Sequence, residues 1–440
     1  MHISRSHRTP RQTRGVPLVG RRQILAVAGI SMAGALSACN GGSTETTHLR
    51  LSSWNIPADL TSYQQIADDF VADHPGTSVS VEVTTGQFHQ WFITRLAADL
   101  APDIIRITPQ QMGRYAANGS LLDISDAIPD DYRKDWSDPF WAIGQRDNGV
   151  FGIFQHTDNF ITFYDKKIME KIGVKVPEKL EDAWRWDEFL DVAREVKKVT
   201  GHYAFSYGWS GPDSAYRWLP LVYQNGGTFL GEDGLTPSMD SDEAIEALAF
   251  GRQWYKEGLV STTNMSKSGG GHVDHDLFLT GQVGMSLTNP EAIAAFDESK
   301  KGTWGVGPMI RNEGEASDLG GNTLAVTKST KNPELAAELV AYLTSRENIQ
   351  RFCHNGNWIP SRTSLDAKSV EYEAHTDVMQ MFIDQGTTIP LSMVKAESGE
   401  FFSSLNAVFA DYLDLCLLGE LTPQETSTQM MEAMRSVTER

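Results

Sequence analysis

Residues 102–107 read Pro102-Asp103-Ile104-Ile105-Arg106-Ile107, a short and nearly continuous apolar run, and a helical stretch from about Pro109 to Asn118 follows it. A run of this length after turn-forming residues reads as a buried strand. Working back toward the N-terminus, Ser78 to Thr84 reads as a second strand and Phe88 to Asp99 as the helix after it. His48 to Asn55, with Leu49 and Leu51 alternating with polar residues and Trp54 at the end, reads as a strand too. Between them, Tyr63, Ile66, Ala67, Phe70 and Val71 recur at helical spacing from Thr61 to His74, where Pro75-Gly76 ends the helix. The order β-α-β-α-β-α builds a mainly parallel sheet with helices on both faces. Ligands bind such sheets at the carboxyl ends of the strands, which places Trp54, Asn55, Gln87 and Thr108 on one rim.

Toward the C-terminus the rhythm changes. Two closely spaced strands, Val150 to Gln155 and Phe160 to Tyr164, are joined by His156-Thr157-Asp158-Asn159, as a crossover between two lobes would be. A second α/β stretch follows, with helices over Trp186 to Thr200, Tyr216 to Asn225 and Ser241 to Glu257 around a strand from Tyr203 to Trp209. Thr303 to Met309 and Asn322 to Val326 read as strands, Asn332-Pro333 as a helix start with Asn332 as the cap, and Phe401 to Arg435 as helices.

At 440 residues the chain has room for two or three domains, and 22% charged residues with 19 Phe, 12 Tyr and 11 Trp are those of a folded body. A formal net charge of −19 without a Lys/Arg run in the body opposes nucleic acid and anionic lipid as partners. The N-terminus differs: Arg5, Arg8, Arg11, Arg14, Arg21 and Arg22 precede a small, apolar run from Ile24 to Ala38. That run is shorter than the roughly 20 residues of a spanning helix and reads as an export signal. Leu36-Ser37-Ala38-Cys39 resembles the bacterial lipobox, in which the cysteine is lipidated and becomes the first mature residue. Residues 1–38 are therefore expected to be a lipoprotein signal peptide, residues 39–47 a flexible Gly/Ser/Thr tether, and Cys39 the lipid anchor at the outer face of a bacterial membrane. Cys353 and Cys416 could pair in an oxidising compartment or remain two buried thiols.

Several segments, in this order, resemble those of the extracellular solute-binding proteins, family 1, the carbohydrate-binding lipoproteins of bacterial ABC importers. They are the lipobox, Ala101 to Ile105, Ala117 to Ile124, Val150 to Asn159, Trp186-Asp187-Glu188-Phe189, Gln224-Asn225-Gly226-Gly227 and Trp358 to Arg362. The resemblance implies an α/β, two-lobe, periplasmic-binding-protein-like fold of type II, with the ligand cleft between lobes joined by crossover strands. The N-terminal lobe would comprise residues 48–155 with about 303–365, and the C-terminal lobe 156–302 with about 366–440. It also implies a carbohydrate ligand, delivery to permease subunits coupled to an ATPase, and closure of the lobes about a hinge. One departure is clear: where the family often has Gly-x-Trp after the strand at Gly284 to Leu287, this chain has Thr288-Asn289-Pro290. A stacking aromatic is missing there, and Asn289 offers hydrogen bonds in its place.

A neutral sugar needs flat aromatic platforms for its C–H faces and side-chain amides, carboxylates or indole N–H groups for its hydroxyls. Trp54, Trp209, Trp218 and Trp358 are the candidate platforms, each of which could equally fill a core. Asn55, Gln87, Thr108, His156, Asp158, Asn289 and Asn322 are the candidate polar contacts, with Gly321 allowing close backbone approach. For Asp158 the alternative is a turn that bonds its own backbone. No catalytic residue, cofactor or metal is expected. Gly208-Trp209-Ser210-Gly211-Pro212 is not a nucleophile elbow, and Gly269-Gly270-Gly271 lacks a phosphate-loop continuation. His272-Val273-Asp274-His275-Asp276 reads as a solvated loop capping the next helix rather than a cation site. A monomer is expected. The competing reading is the same fold with a non-sugar solute, or a surface sensing or adhesion role without transport.

Overall fold

Ile104, Ile105, Arg106 and Ile107 are all buried, and the strand they form lies inside a six-stranded sheet, so its side chains meet protein on both faces. The computed structural model describes residues 46–211, 213–267 and 272–439. The stretch expected to be a signal peptide, Cys39 and most of the expected tether lie outside them. The described strands are β1 (Thr47–Ser53), β2 (Thr77–Val83), β3 (Ile104–Ile107), β4 (Gln145–Arg146), β5 (Gly149–Val150), β6 (Ile153–Thr157), β7 (Ile161–Asp165), β8 (Phe205–Tyr207), β9 (Met285–Thr288), β10 (Trp304–Gly307), β11 (Asn322–Val326) and β12 (Ile359–Pro360). The larger sheet has the order β12-β6-β11-β3-β1-β2, a second has β10-β7-β9-β8, and β4 with β5 forms a small hairpin.

The first three strands are parallel, as their helical crossovers require, but β11 runs antiparallel to both β3 and β6, and β12 antiparallel to β6. The sheet is thus mixed rather than mainly parallel, because the chain re-enters it from the second sheet in the opposite sense. That reversal matters for position: the starts of β11 and β12 join the carboxyl ends of β1, β2, β3 and β6 on one rim. In the second sheet β8 and β9 are parallel and β7 and β10 run against their neighbours, so the ends of β8, β9 and β10 share a rim with the start of β7. Asp158 to Phe160 and residues 308–321 carry the chain between the two rims.

Other boundaries move for identifiable reasons. The first helix starts at Pro57, a turn before Thr61, with the proline in its first turn. Tyr216 to Asn225 splits into a 3-10 turn, Ala215–Trp218, and a short helix, Leu219–Gln224. Asn332 does precede a helix beginning at Pro333, yet its side chain makes no capping bond. Trp304–Gly307 pairs with β7, so the return to the first sheet comes after it and not at about residue 303. Cys353 and Cys416 are buried free thiols. Among the described residues no single helix is long and apolar enough to cross a membrane.

The two crossings pack without side chains between them. Gly321 has φ +96°, and a Cβ there would overlap the His156 carbonyl oxygen, while a Cβ on Gly320 would overlap the Asp158 carboxylate. Gly321→Ala is therefore expected to cost more than about 1 kcal/mol through both strain and overlap. Gly281 also has positive φ but open space around its Cβ position. In urea denaturation Gly321→Ala should lose clearly more stability than Gly281→Ala; equal losses would show that the close approach contributes nothing.

Candidate functional site

Arg106 supplies the charge at the first rim. The pleat of β3 turns it to the face covered by the first helix, and it is fully buried. Its Nη1 donates to Asp59 Oδ2 (2.6 Å) and to Ser53 Oγ (3.2 Å). Its Nη2 lies 3.1 Å from His156 Nε2, which is also 2.9 Å from the Asn322 side-chain amide. Burial and the adjacent guanidinium hold the His156 imidazole well below its usual range, so the ring is neutral. The Trp54 ring covers the guanidinium at 4.8 Å and is half-buried. Trp358 stacks on His156 at 4.7 Å between centroids and donates from Nε1 to Asp59 Oδ1 (2.8 Å).

A second arginine organises the crossing. Arg217, from the 3-10 turn after β8, donates through Nη1 to Asp318 Oδ2 (2.6 Å) and through Nη2 to Asp158 Oδ2 (3.3 Å). Asn289 Nδ2, beyond the end of β9, lies 3.5 Å from the same Asp158 oxygen. Phe160 and Tyr216 cover the guanidinium at 5.0 and 5.3 Å. Asp158 comes from the outward crossing and Asp318 from the return, so one cation binds both connections to the second sheet. The remaining oxygens, Asp158 Oδ1 and Asp318 Oδ1, are buried acceptors with no donor. Burial pushes the Asp318 carboxyl upward against the lowering pull of Arg217. Nearby, Gln110 Nε2 donates to Glu397 Oε2 and to the Leu319 carbonyl, both at 2.7 Å. Glu397 Oε1 has no partner, and burial raises this carboxyl well above its usual range.

Two cavities lie at these rims. One of about 550 Å³ separates the start of the first helix, at Pro57, Ala58 and Thr61, from Ile293, Ala294 and Asp297 in the helix after β9. The other, about 250 Å³, opens between Arg217, Asn289, Glu291, Ser210 and the start of the helix Val273–Leu279. The rims therefore face each other across a polar cleft.

The expected residues fall into three groups. Asp158, Asn289, His156, Gly321, Asn322 and Trp54 meet around the two arginines. Thr108 is half-buried at the end of β3, and Asn55 and Gln87 are exposed on the same rim. Three of the four tryptophans offered as platforms are instead in the core. Trp209 is fully buried with Nε1 on the Asn264 carbonyl, Trp218 is fully buried against Phe409, and Trp358 has one face on His156. Arg106, Arg217, Asp318 and Glu397 were missed. Arg106 carried a signal, being the one charge in a four-residue apolar strand, and so did Asp318, two residues before Gly320-Gly321. The stretch His272 to Asp276 also differs from expectation: His272 precedes the helix without capping it, and His272, Asp274 and His275 converge.

Residues 54–350 match the family model described as bacterial extracellular solute-binding protein. The maltodextrin-binding protein MdxE of Bacillus subtilis (strain 168) is 25% identical over 62% of this chain and 63% of its own length. The match thus spans slightly less than two thirds of that relative. The diacetylchitobiose binding protein DasA of Streptomyces coelicolor is 24% identical over 84% of this chain and 89% of its own. Among solved structures, the GacH receptor of Streptomyces glaucescens, determined unliganded and with acarbose, superposes with a TM-score of 0.72 over 90% of this chain and 99% of its own at 22% identity. The fold is accordingly the type II periplasmic-binding-protein fold.

The raised Glu397 carboxyl has a pH signature. A buried acid that stays protonated when folded contributes fully below its unfolded pKa, about 4.3, and that contribution is lost as pH rises toward the folded value. Glu397→Gln keeps the shape and cannot ionise. Its melting temperature relative to the parent should therefore climb as pH rises above about 4.3; a difference constant with pH would place an ionised carboxylate at this position.

Proposed function

This chain belongs to the bacterial extracellular solute-binding proteins, and on that premise we propose that it captures a carbohydrate, an oligosaccharide, in the cleft between the two sheet rims. The observation that carries this reading is the 250 Å³ cavity between the rims, lined by the polar groups of Arg217, Asn289, Glu291, Ser210 and Ser214, with Arg217 held in place by Asp158 and Asp318. A guanidinium, an amide, a carboxylate and two hydroxyls facing one cavity supply the donors and acceptors that sugar hydroxyls require. Trp54 is the half-buried platform for a sugar face, with Asn55, Gln87 and Thr108 along its rim. The names of the two relatives, which bind maltodextrin and diacetylchitobiose, support the same ligand class.

The two sheets then mark two lobes, and the paired crossings at Asp158 to Phe160 and 308–321 are the hinge about which they close. Closure would present a different surface to an ABC permease and its ATPase, which read occupancy by fit. Cys39 carries the lipid that holds a monomeric protein at the outer face of the membrane, and residues 40–47 let it reorient there. The protein binds and releases its solute without chemical change.

A second reading has its own observation. With Trp209, Trp218 and Trp358 in the core and carboxylates prominent at the crossing, the cleft also suits a cationic solute. Intrinsic tryptophan fluorescence and melting temperature of the purified full chain, read against mono- to hexasaccharides and a polyamine, separate the two. A saturable shift with one glycan class supports the proposal, since a ligand of the folded form raises stability by mass action. A response to the polyamine alone overturns it. Asp158→Asn should weaken the glycan by about 10- to 100-fold, the span of a charge-assisted hydrogen bond.

A further inference from the structure

The segment that runs into the helix Val273–Leu279 forms one wall of the 250 Å³ cavity and takes no part in the network around Arg217. One side-chain nitrogen of His272, one of His275 and one carboxylate oxygen of Asp274 lie within 4.8 Å of one another. We propose that these three residues form a binding site for a divalent first-row transition metal, of the zinc class, in the wall of the cleft.

The geometry is half preformed. Asp274 and His275 are buried, and His275 Nε2 lies 3.4 Å from Asp274 Oδ2. Zinc bonds of about 2.0–2.2 Å place neighbouring donors of a tetrahedron about 3.3–3.6 Å apart, so this pair already spans one edge. His272 is exposed and precedes the helix without a side-chain capping bond, so its ring closes the remaining gap by a change of rotamer. Its ring now stacks parallel to that of His275 at 4.5 Å.

The donor atoms are bridged by a hydroxyl, and the backbone of Asp274 is anchored. Thr288 Oγ1 donates to Asp274 Oδ2 (2.6 Å) and lies 3.2 Å from His275 Nε2, while Ser206 Oγ donates to the Asp274 carbonyl oxygen (2.9 Å). The Thr288 hydroxyl keeps the carboxylate and the imidazole turned toward each other; a metal takes the place of the proton on His275 Nε2 and ends that ring's contact with Thr288. Two imidazoles and one carboxylate suit zinc and its neighbours rather than calcium or magnesium, which take oxygen donors. Three protein ligands leave the fourth position to the cavity, where a water or a donor atom of a bound solute completes the set. Arg217 lines the same cavity, but its charge is opposed by Asp158 and Asp318, and Glu291 adds a further carboxylate.

The test uses the full chain stripped with a chelator and titrated with zinc chloride in a calorimeter, then loaded with cobalt(II) for visible absorption. The expected result is one equivalent of zinc per chain and an intense tetrahedral cobalt band. His272→Ala, at an exposed position that leaves the core intact, should weaken zinc about tenfold or more, and Asp274→Asn should abolish stoichiometric binding, while His202→Gln, at another exposed histidine, changes nothing. Failure of the parent chain to take up one equivalent overturns the proposal, and so does an isotherm that His272→Ala and Asp274→Asn leave unaltered. Neither result bears on whether the chain binds a glycan, because the glycan titration is done without metal.

Discussion

The ion pair between Arg106 and Asp59 holds the first sheet to its surroundings. Taking a guanidinium and a carboxylate out of water costs several kcal/mol per ion, and their attraction offsets this only when the other donors and acceptors are also satisfied. Here they are: Ser53 Oγ, the His156 ring and the Trp358 indole N–H each meet one member of the pair. Those partners come from the end of β1, the end of β6 and the residue before β12, and Asp59 itself from the first helix. One buried charge therefore ties together the ends of β1 and β6 and the starts of β12 and the first helix, and these four meet on one rim.

Arg217 repeats the device at the junction with the second sheet, with a different outcome. Its two aspartates leave one oxygen each without a donor, whereas both oxygens of Asp59 are bonded. The first arginine centre is thus closed and structural. The second is polar, nearly buried and leaves two carboxylate oxygens unbonded beside it.

Much of this could be read from the residues, and the reasons for the rest are physical. The helix Trp186–Thr200 was legible because Trp186, Phe189, Leu190, Ala193 and Val196 mark one face, and that face is buried. β11 matched its apolar run, Asn322–Val326. The strand expected over Tyr203 to Trp209 is shorter, Phe205 to Tyr207, an edge strand in register with β9 over those three residues. Asp158 and Asn289 carried recognisable chemistry at a loop and a strand end. Arg217 did not: an arginine among Ala215, Tyr216 and Trp218 reads as the solvated face of a helix, and its partners lie 59 and 101 residues away. Tryptophan number gave no guide to orientation, since a ring beside a strand end packs inward as readily as outward.

The glycines at 320 and 321 bring the outgoing and returning chain into direct contact, Gly320 against the Asp158 carboxylate and Gly321 against the His156 carbonyl. Any side chain at 320 would push Asp158 off Arg217. Residues 158 and 320 are consequently one unit: a side chain at 320 and the present placement of the Asp158 carboxylate exclude each other. The chemistry of the cleft is written in part at a residue that has no side chain.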